Sequence, residues 1–175
     1  MKIGVLSDTH TKVKRAKAAL DMLVQNGAEF IIHAGDIVEK EILDLLAHCG
    51  KRYIAVYGNN DAHLVEYHNN YHLVQEPYYF TLANTKCKLM HLPFYMSQDA
   101  EVIIFGHTHK FEVAFINGVL FLNPGEVCAR NKPTSECAIL EILEDKFIVN
   151  YYTQKKKEES YNIEKTFVYK RQKSE

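Results

Sequence analysis

The chain has 175 residues, four cysteines and a formal net charge of −1, enough for one domain with a core of its own, since a chain of roughly this size buries about 70% of its unfolded surface. The near-neutral charge provides no global basic footprint for sequence-independent nucleic-acid binding. Cys49, Cys87, Cys128 and Cys137 form no C-x-x-C pair and no zinc-finger spacing, which disfavours a disulfide framework or structural zinc and points to reduced thiols of a cytoplasmic protein. The opening apolar run ends at Ser7-Asp8, too short for the about 7–15 apolar residues of a signal peptide. No stretch approaches the roughly 18 apolar residues of a membrane span.

The predicted elements begin as a βα repeat. A strand at Ile3-Gly4-Val5-Leu6 precedes a helix whose apolar residues Val13, Ala16, Leu20, Leu23 and Val24 recur at helical spacing, with Asn26-Gly27 as its stop. A strand over residues 30–34 leads to a second helix with Val38, Ile42, Leu45 and Leu46 as its apolar face, ending near Cys49-Gly50. A third strand covers residues 53–57. From Tyr78 the pattern changes to strands joined by turns, which predicts a second sheet. Residues 79–82 and 87–90 flank one hairpin turn, and residues 111–116 and 119–122 flank Asn117-Gly118, a strong hairpin signal. Strands at 102–105, 138–143 and 147–152 complete the pattern. A single domain over residues 1–153 is expected, followed by a charged tail over 154–175 whose run 166–169 suits a short edge strand.

The chemistry-bearing residues stand at the ends of predicted strands. They are Asp8-Thr9-His10, Gly35-Asp36, Gly58-Asn59-Asn60-Asp61 and Gly106-His107-Thr108-His109, with His91 as a fifth segment. In an open α/β sheet the carboxyl ends of the strands face one crevice, so residues distant in sequence can meet there. Each segment alone has an ordinary structural reading: Asp8 or Thr11 as a helix N-cap, His107 and His109 as surface histidines. Together they are a mixed nitrogen and oxygen donor set that suits manganese, iron or zinc. A nucleophile elbow of the G-x-S-x-G kind and a phosphate-binding Walker loop are both missing from the sequence.

In conjunction and order, the five segments resemble the calcineurin-like metallophosphoesterase superfamily, in particular its small bacterial and archaeal phosphodiesterases, with the retromer subunit of similar size as a cousin. The resemblance covers residues 1–152 and includes the turn Asn123-Pro124-Gly125. It implies an α/β fold, a four-layer α/β/β/α sandwich of two packed mixed sheets with helices outside. It also implies two divalent ions, one held by Asp8, His10 and His109, the other by Asn59, His91 and His107, with Asp36 bridging them. Manganese fits the family best, and iron, zinc or nickel are accepted. The implied activity is hydrolysis of a small phosphodiester by a hydroxide that bridges the two ions.

The chain departs from the family pattern at two positions. Asn60 stands where many members carry a histidine that protonates the leaving group, and an amide cannot act as a general acid. Pro93 stands where the small phosphodiesterases usually carry a second histidine. Residues 93–101 are too few for a crossover helix, so a loop and an open rim are expected there. His63 is the nearest candidate to replace the missing acid, ahead of His68 and His72, which read as surface residues. His33 and His48 read as structural. Asn60 and Arg130 are the candidate substrate contacts. A binding scaffold of the retromer-subunit type and a phosphomonoesterase are the competing functions. The expected partner is a small phosphodiester; a nucleic-acid polymer and a membrane are disfavoured, and a homo-oligomer formed through residues 78–80 is left open.

Overall fold

The computed structural model describes residues 1–171, built around two β-sheets packed face to face. The first sheet starts from parallel strands β1 (Lys2–Leu6), β2 (Phe30–His33), β3 (Arg52–Val56) and β4 (Leu73–Val74). Helices α1 (Val13–Gln25) and α2 (Lys40–His48) connect the first three, and a 3₁₀ segment, Ala62–Asn70, precedes β4. Val38, expected on the apolar face of α2, lies before the helix in the left-handed region at φ 66°, and Leu43 is buried with Ile42 and Leu46 instead. The second sheet runs in the order β5 (Tyr78–Leu82), β6 (Thr85–Leu89), β7 (Val102–Ile104), β9 (Val119–Pro124) and β8 (Phe111–Ile116).

Strand alternation divides the apolar residues into layers. Ile3, Val5, Ile32, Ile54 and Val56 from the first sheet meet Leu89, Val102, Ile104, Leu120 and Leu122 from the second in the inter-sheet core. Leu6, Ile31 and Ala55 point the other way, against α1 and α2. Both helices therefore cover the first sheet. Among the described residues no α-helix covers the second. Its outer face, Ile103, Phe105, Val119 and Phe121, is screened by Met96 from the 93–101 segment, a loop as its shortness required. Lys88 anchors this loop: its side chain is fully buried, and its ammonium donates to Tyr95 O (2.7 Å), Ser97 O (3.0 Å) and Ser97 Oγ (2.9 Å) while pairing with Asp99 (2.7 Å).

The first sheet is extended on its other side by antiparallel β10 (Thr134–Ile142), β11 (Lys146–Lys155) and β12 (Asn162–Lys170). The edge strand expected at 166–169 is thus the second half of a nine-residue strand. Only Phe167 and Tyr169 of β12 reach the core, which is why its apolar pattern is faint; its exposed Glu164, Lys165 and Lys170 suit a sheet edge. The last four residues of the expected tail, 172–175, lie outside the described residues. No helix among the described residues is long and apolar enough to cross a membrane.

His33 ties the ends of β1 and β2 together. It is fully buried, its Nδ1 accepts from the Gly35 N–H (3.2 Å), and its Nε2 meets Thr9 Oγ1 at 3.0 Å. Nδ1 accepts, so Nε2 carries the proton and donates to Thr9, whose hydroxyl donates to Asp36 O (3.4 Å). Burial holds the His33 pKa down to about 3, with the nearby His91 acting in the same direction. The unfolded chain, with an ordinary imidazole near 6.5, takes up the proton first as pH falls. His33 is therefore expected to erode stability from pH about 6.5 downwards, by about 1.4 kcal/mol per pH unit. Urea unfolding at descending pH should show this loss in the native chain and a shallower one in His33→Gln; parallel profiles would contradict it.

Candidate metal centre

The functional side chains sit on turns that leave strand ends in unusual backbone conformations. Asp8 (φ 52°), His10 (φ 46°), Asp36 (φ 56°), His107 (φ 68°) and His109 (φ 59°) are all in the left-handed region, which costs an ordinary residue about 1 kcal/mol or more. Such backbones turn each chain sharply at the crevice, so that residues two apart, such as Asp8 and His10, aim at neighbouring points. Glycines permit the loops to touch. A Cβ at Gly58 would overlap the backbone nitrogen and Oδ1 of Asp36, and one at Gly106 would overlap Ser7 Oγ and Ala34 O.

The turns bring all seven expected ligand residues together in two overlapping groups. In the first, His109 Nε2 lies 3.2 Å from Asp8 Oδ1 and 3.4 Å from His10 Nε2, and His10 Nε2 lies 3.6 Å from Asp36 Oδ2. Ligand atoms of Asp8, His10, Asp36 and His109 all fall within 4.8 Å of one another. In the second, Asn59 Oδ1 stands 3.0 Å from His91 Nε2 and 3.1 Å from His107 Nδ1, and His91 Nε2 is 3.5 Å from Asp36 Oδ1. Asp36 presents one oxygen to each group.

The donor set fits cations. Asp8 Oδ2 accepts from Ser7 Oγ (2.7 Å) and the His107 N–H (3.2 Å), but Asp8 Oδ1 is buried with no hydrogen-bond partner. A buried, unpartnered carboxylate oxygen is costly unless a cation meets it. Burial accordingly pushes the Asp8 pKa up. For Asp36 burial also pushes upward, but contacts with His91 and Asn60 outweigh it and hold the carboxyl below its usual range. His91 shows the converse: burial would lower its pKa, and Asp36 raises it instead. A proton on His91 does there what a metal would do, and metal binding would displace it. Burial lowers the pKa of His10, leaving a neutral imidazole free to ligate.

A surrounding layer of residues fixes the ligands. His91 Nδ1 donates to Ala34 O (2.8 Å), turning Nε2 toward the centre. Glu76 accepts from the backbone N–H groups of His91 (2.6 Å) and Leu92 (2.9 Å). Glu126 accepts from His109 Nδ1 at 2.5 Å, leaving Nε2 unprotonated, and is itself held by the Asn131 and Lys132 N–H groups. A carboxylate behind a ligating histidine sets its tautomer and raises its basicity. Asp61, fully buried, accepts from the N–H groups of Ile37 (3.1 Å), Val38 (2.8 Å) and Gly58 (2.7 Å), clamping the Asp36 loop to the Asn59 loop. Asp61 stands in one of the segments singled out from the sequence, but as a clamp and not as a ligand; Glu76 and Glu126 are site residues that the sequence reading missed. Glu126 had a readable signal, since it directly follows Asn123-Pro124-Gly125.

The remaining candidates fall into different places. Asn60 donates to Asp36 from its backbone N–H (3.0 Å) and its amide (2.8 Å), so it holds the shared carboxylate. His63 Nε2 is engaged with Val38 O at 2.6 Å, and His68 Nδ1 with Tyr57 OH at 3.1 Å. Arg130 Nη2 stands 3.3 Å from His109 Nε2, at the rim of the centre. Cys128 also approaches His10 and His109, but burial, then Glu126, push its thiol up to about 12, which keeps it protonated.

Comparison with known proteins places this geometry in a family. The model of the calcineurin-like phosphoesterase superfamily domain matches residues 1–145. A probable metallophosphoesterase of Methanocaldococcus jannaschii is 33% identical over 155 residues, covering 83% of this chain and 78% of that protein. A phosphodiesterase of the same organism is 28% identical over 141 residues, covering 73% of this chain and 85% of the other. Among solved structures, vacuolar protein sorting 29 of Cryptosporidium parvum superposes with a TM-score of 0.76 at 18% identity, over 97% of this chain and 98% of that one. The chain is a metal-dependent phosphoester hydrolase and belongs to the calcineurin-like phosphoesterase superfamily.

Proposed function

We propose that the chain is a dinuclear phosphodiesterase acting on a small phosphodiester, with Asp8, His10 and His109 at one ion, Asn59, His91 and His107 at the other, and Asp36 shared. The observation that carries this reading is the split of Asp36 between the groups, Oδ1 toward His91 and Oδ2 toward His10. Two divalent ions held there, manganese by preference for the mixed donor set, supply Lewis acidity and a water of lowered pKa. The chain's own residues do the rest. Asn60 orients the shared carboxylate, Glu126 keeps His109 Nε2 free of a proton, and Arg130 offers a guanidinium to a phosphate oxygen.

No protein acid is assigned to the leaving group. Asn60 is occupied with Asp36, His63 with Val38 O, and proline at position 93 has no proton to give. Esters with good leaving groups are therefore expected to react fastest.

A second reading, a binding scaffold, draws on an apolar groove away from the centre, lined by Met96, Phe105, Phe111, Val113, Phe121 and Phe167. Such a groove on a free surface suits a protein partner. The retained ligand set favours the enzyme.

Turnover of a chromogenic phosphodiester beside its monoester, on chelator-stripped protein refilled singly with manganese, zinc, iron or nickel, tests the reading. Diester cleavage should require added metal and fall by at least about 100-fold in Asp36→Asn and His107→Ala. Full turnover in stripped protein would sink the proposal. Glu126→Gln should cost about 10–100-fold in metal affinity, read by competition with a fluorescent chelator; an unchanged affinity would remove Glu126 from the site.

A further inference from the structure

A second cleft, of about 490 Å³, opens beside the metal centre. It is lined by Lys12, Arg15, Arg130, Lys132 and Lys156, and no carboxylate is among its lining residues. This concentration of positive charge is local, since the chain as a whole carries −1. Lys132 is neutralised by Glu136 at 2.7 Å, and Arg15 donates to the neutral hydroxyl of Ser135 at 2.7 Å. Lys12, Arg130 and Lys156 have no carboxylate within ion-pair distance among the described residues. Like charges gathered in one cleft repel one another and weaken the folded state unless an anion joins them.

The backbone adds to the same field. Helix α1 begins at Val13 with Lys12 as its N-cap, no side-chain cap and no acidic residue in its first turn. Its positive end is therefore uncompensated by any side chain at the cleft. The cleft and the centre share a wall. Arg130 lines the cleft while its Nη2 is 3.3 Å from His109 Nε2, and Cys128 lines it while lying within 4.8 Å of the ligand atoms of His10 and His109.

We infer that this cleft is a subsite for a second phosphate group on the phosphodiester substrate, an inference that rests on the phosphodiesterase reading of the adjacent centre. The preferred substrate class is a small diester that carries a further terminal phosphate, with Arg130 between the reacting and the anchoring groups. The cleft's volume is that of a small-molecule site, about 300–1,000 Å³, and a net charge of −1 provides no global basic footprint for a polymer.

The test compares thymidine 5′-(p-nitrophenyl phosphate) with the same ester bearing a 3′-phosphate, on the metal-loaded full chain and on the double variant Lys12→Ala/Lys156→Ala. Both lysines are exposed, so their removal does not endanger folding. The added phosphate should lower KM by about tenfold or more in the native chain, and this ratio should fall toward one in the variant. Equal KM values in the native chain, or a ratio that survives the substitutions, would overturn the subsite. If neither ester is turned over, the phosphodiesterase reading has failed, and calorimetry with inorganic pyrophosphate on the chelator-stripped full chain reads the cleft without the metal ions. Affinity weakened about tenfold in the variant upholds an anion site there; affinity unchanged by the substitutions, or no binding, refutes it.

Discussion

Asp36 is the point at which the two halves of the site are joined, because each of its oxygens faces a different imidazole and its remaining contacts come from Asn60. Two cations about 3.5–4 Å apart repel each other strongly, and a carboxylate between them screens that repulsion and sets their spacing. The surrounding loops are built to hold this group still. Asp61 clamps the loop before α2 to the loop after β3, and Thr9 and His33 tie the Asp36 carbonyl to the end of β1. Left-handed backbones at Asp8, His10, Asp36, His107 and His109 are unfavourable locally, and cross-loop hydrogen bonds such as Asp8 N–H to Gly35 O and His10 N–H to Asp36 O offset them.

The proposed ligands come from two sheets, which makes the inter-sheet core a determinant of the geometry of the candidate centre. Asp8, His10, Asp36 and Asn59 follow strands of the first sheet, while His91, His107 and His109 follow strands of the second. Their separation is set by the packing of Ile3, Val5 and Ile32 on Leu89, Ile104 and Leu122. Close-packed side chains transmit displacement rather than absorb it. A change in the thickness of this layer would alter the distance between Asp36 and His91 without touching either residue. The same layering explains why a loop suffices outside the second sheet: Lys88 and Met96 secure it, and the site does not depend on a helix there.

Much of this was legible in the sequence because strand ends and glycine-bounded polar segments are local signals. The strands before Asp8, Asp36, Asn59 and His107 have strong apolar patterns, and Asn117-Gly118 closes a two-residue hairpin as its sequence requires. Features that depend on distant partners were not legible. Val38 reads as a helical apolar residue until the contact of its N–H with Asp61 holds it outside α2. The strand β12 has only two core-facing residues, so its existence follows from pairing with β11 rather than from its own pattern. The roles of Glu76, Asp61 and Glu126 depend on backbone amides and imidazoles far along the chain. Asn60 is a candidate substrate contact from sequence, since an amide can hydrogen-bond to a phosphate oxygen; its amide turns inward to Asp36.

Electron paramagnetic resonance of the manganese-loaded protein distinguishes one carboxylate joining two cation sites from two separate sites. With Asp36 shared, metal titration should saturate at two ions per chain and give the broad spectrum of an exchange-coupled pair. Asp36→Ala should lose that coupling. A native spectrum showing only the six-line pattern of isolated manganese, or coupling that persists in Asp36→Ala, would contradict the account.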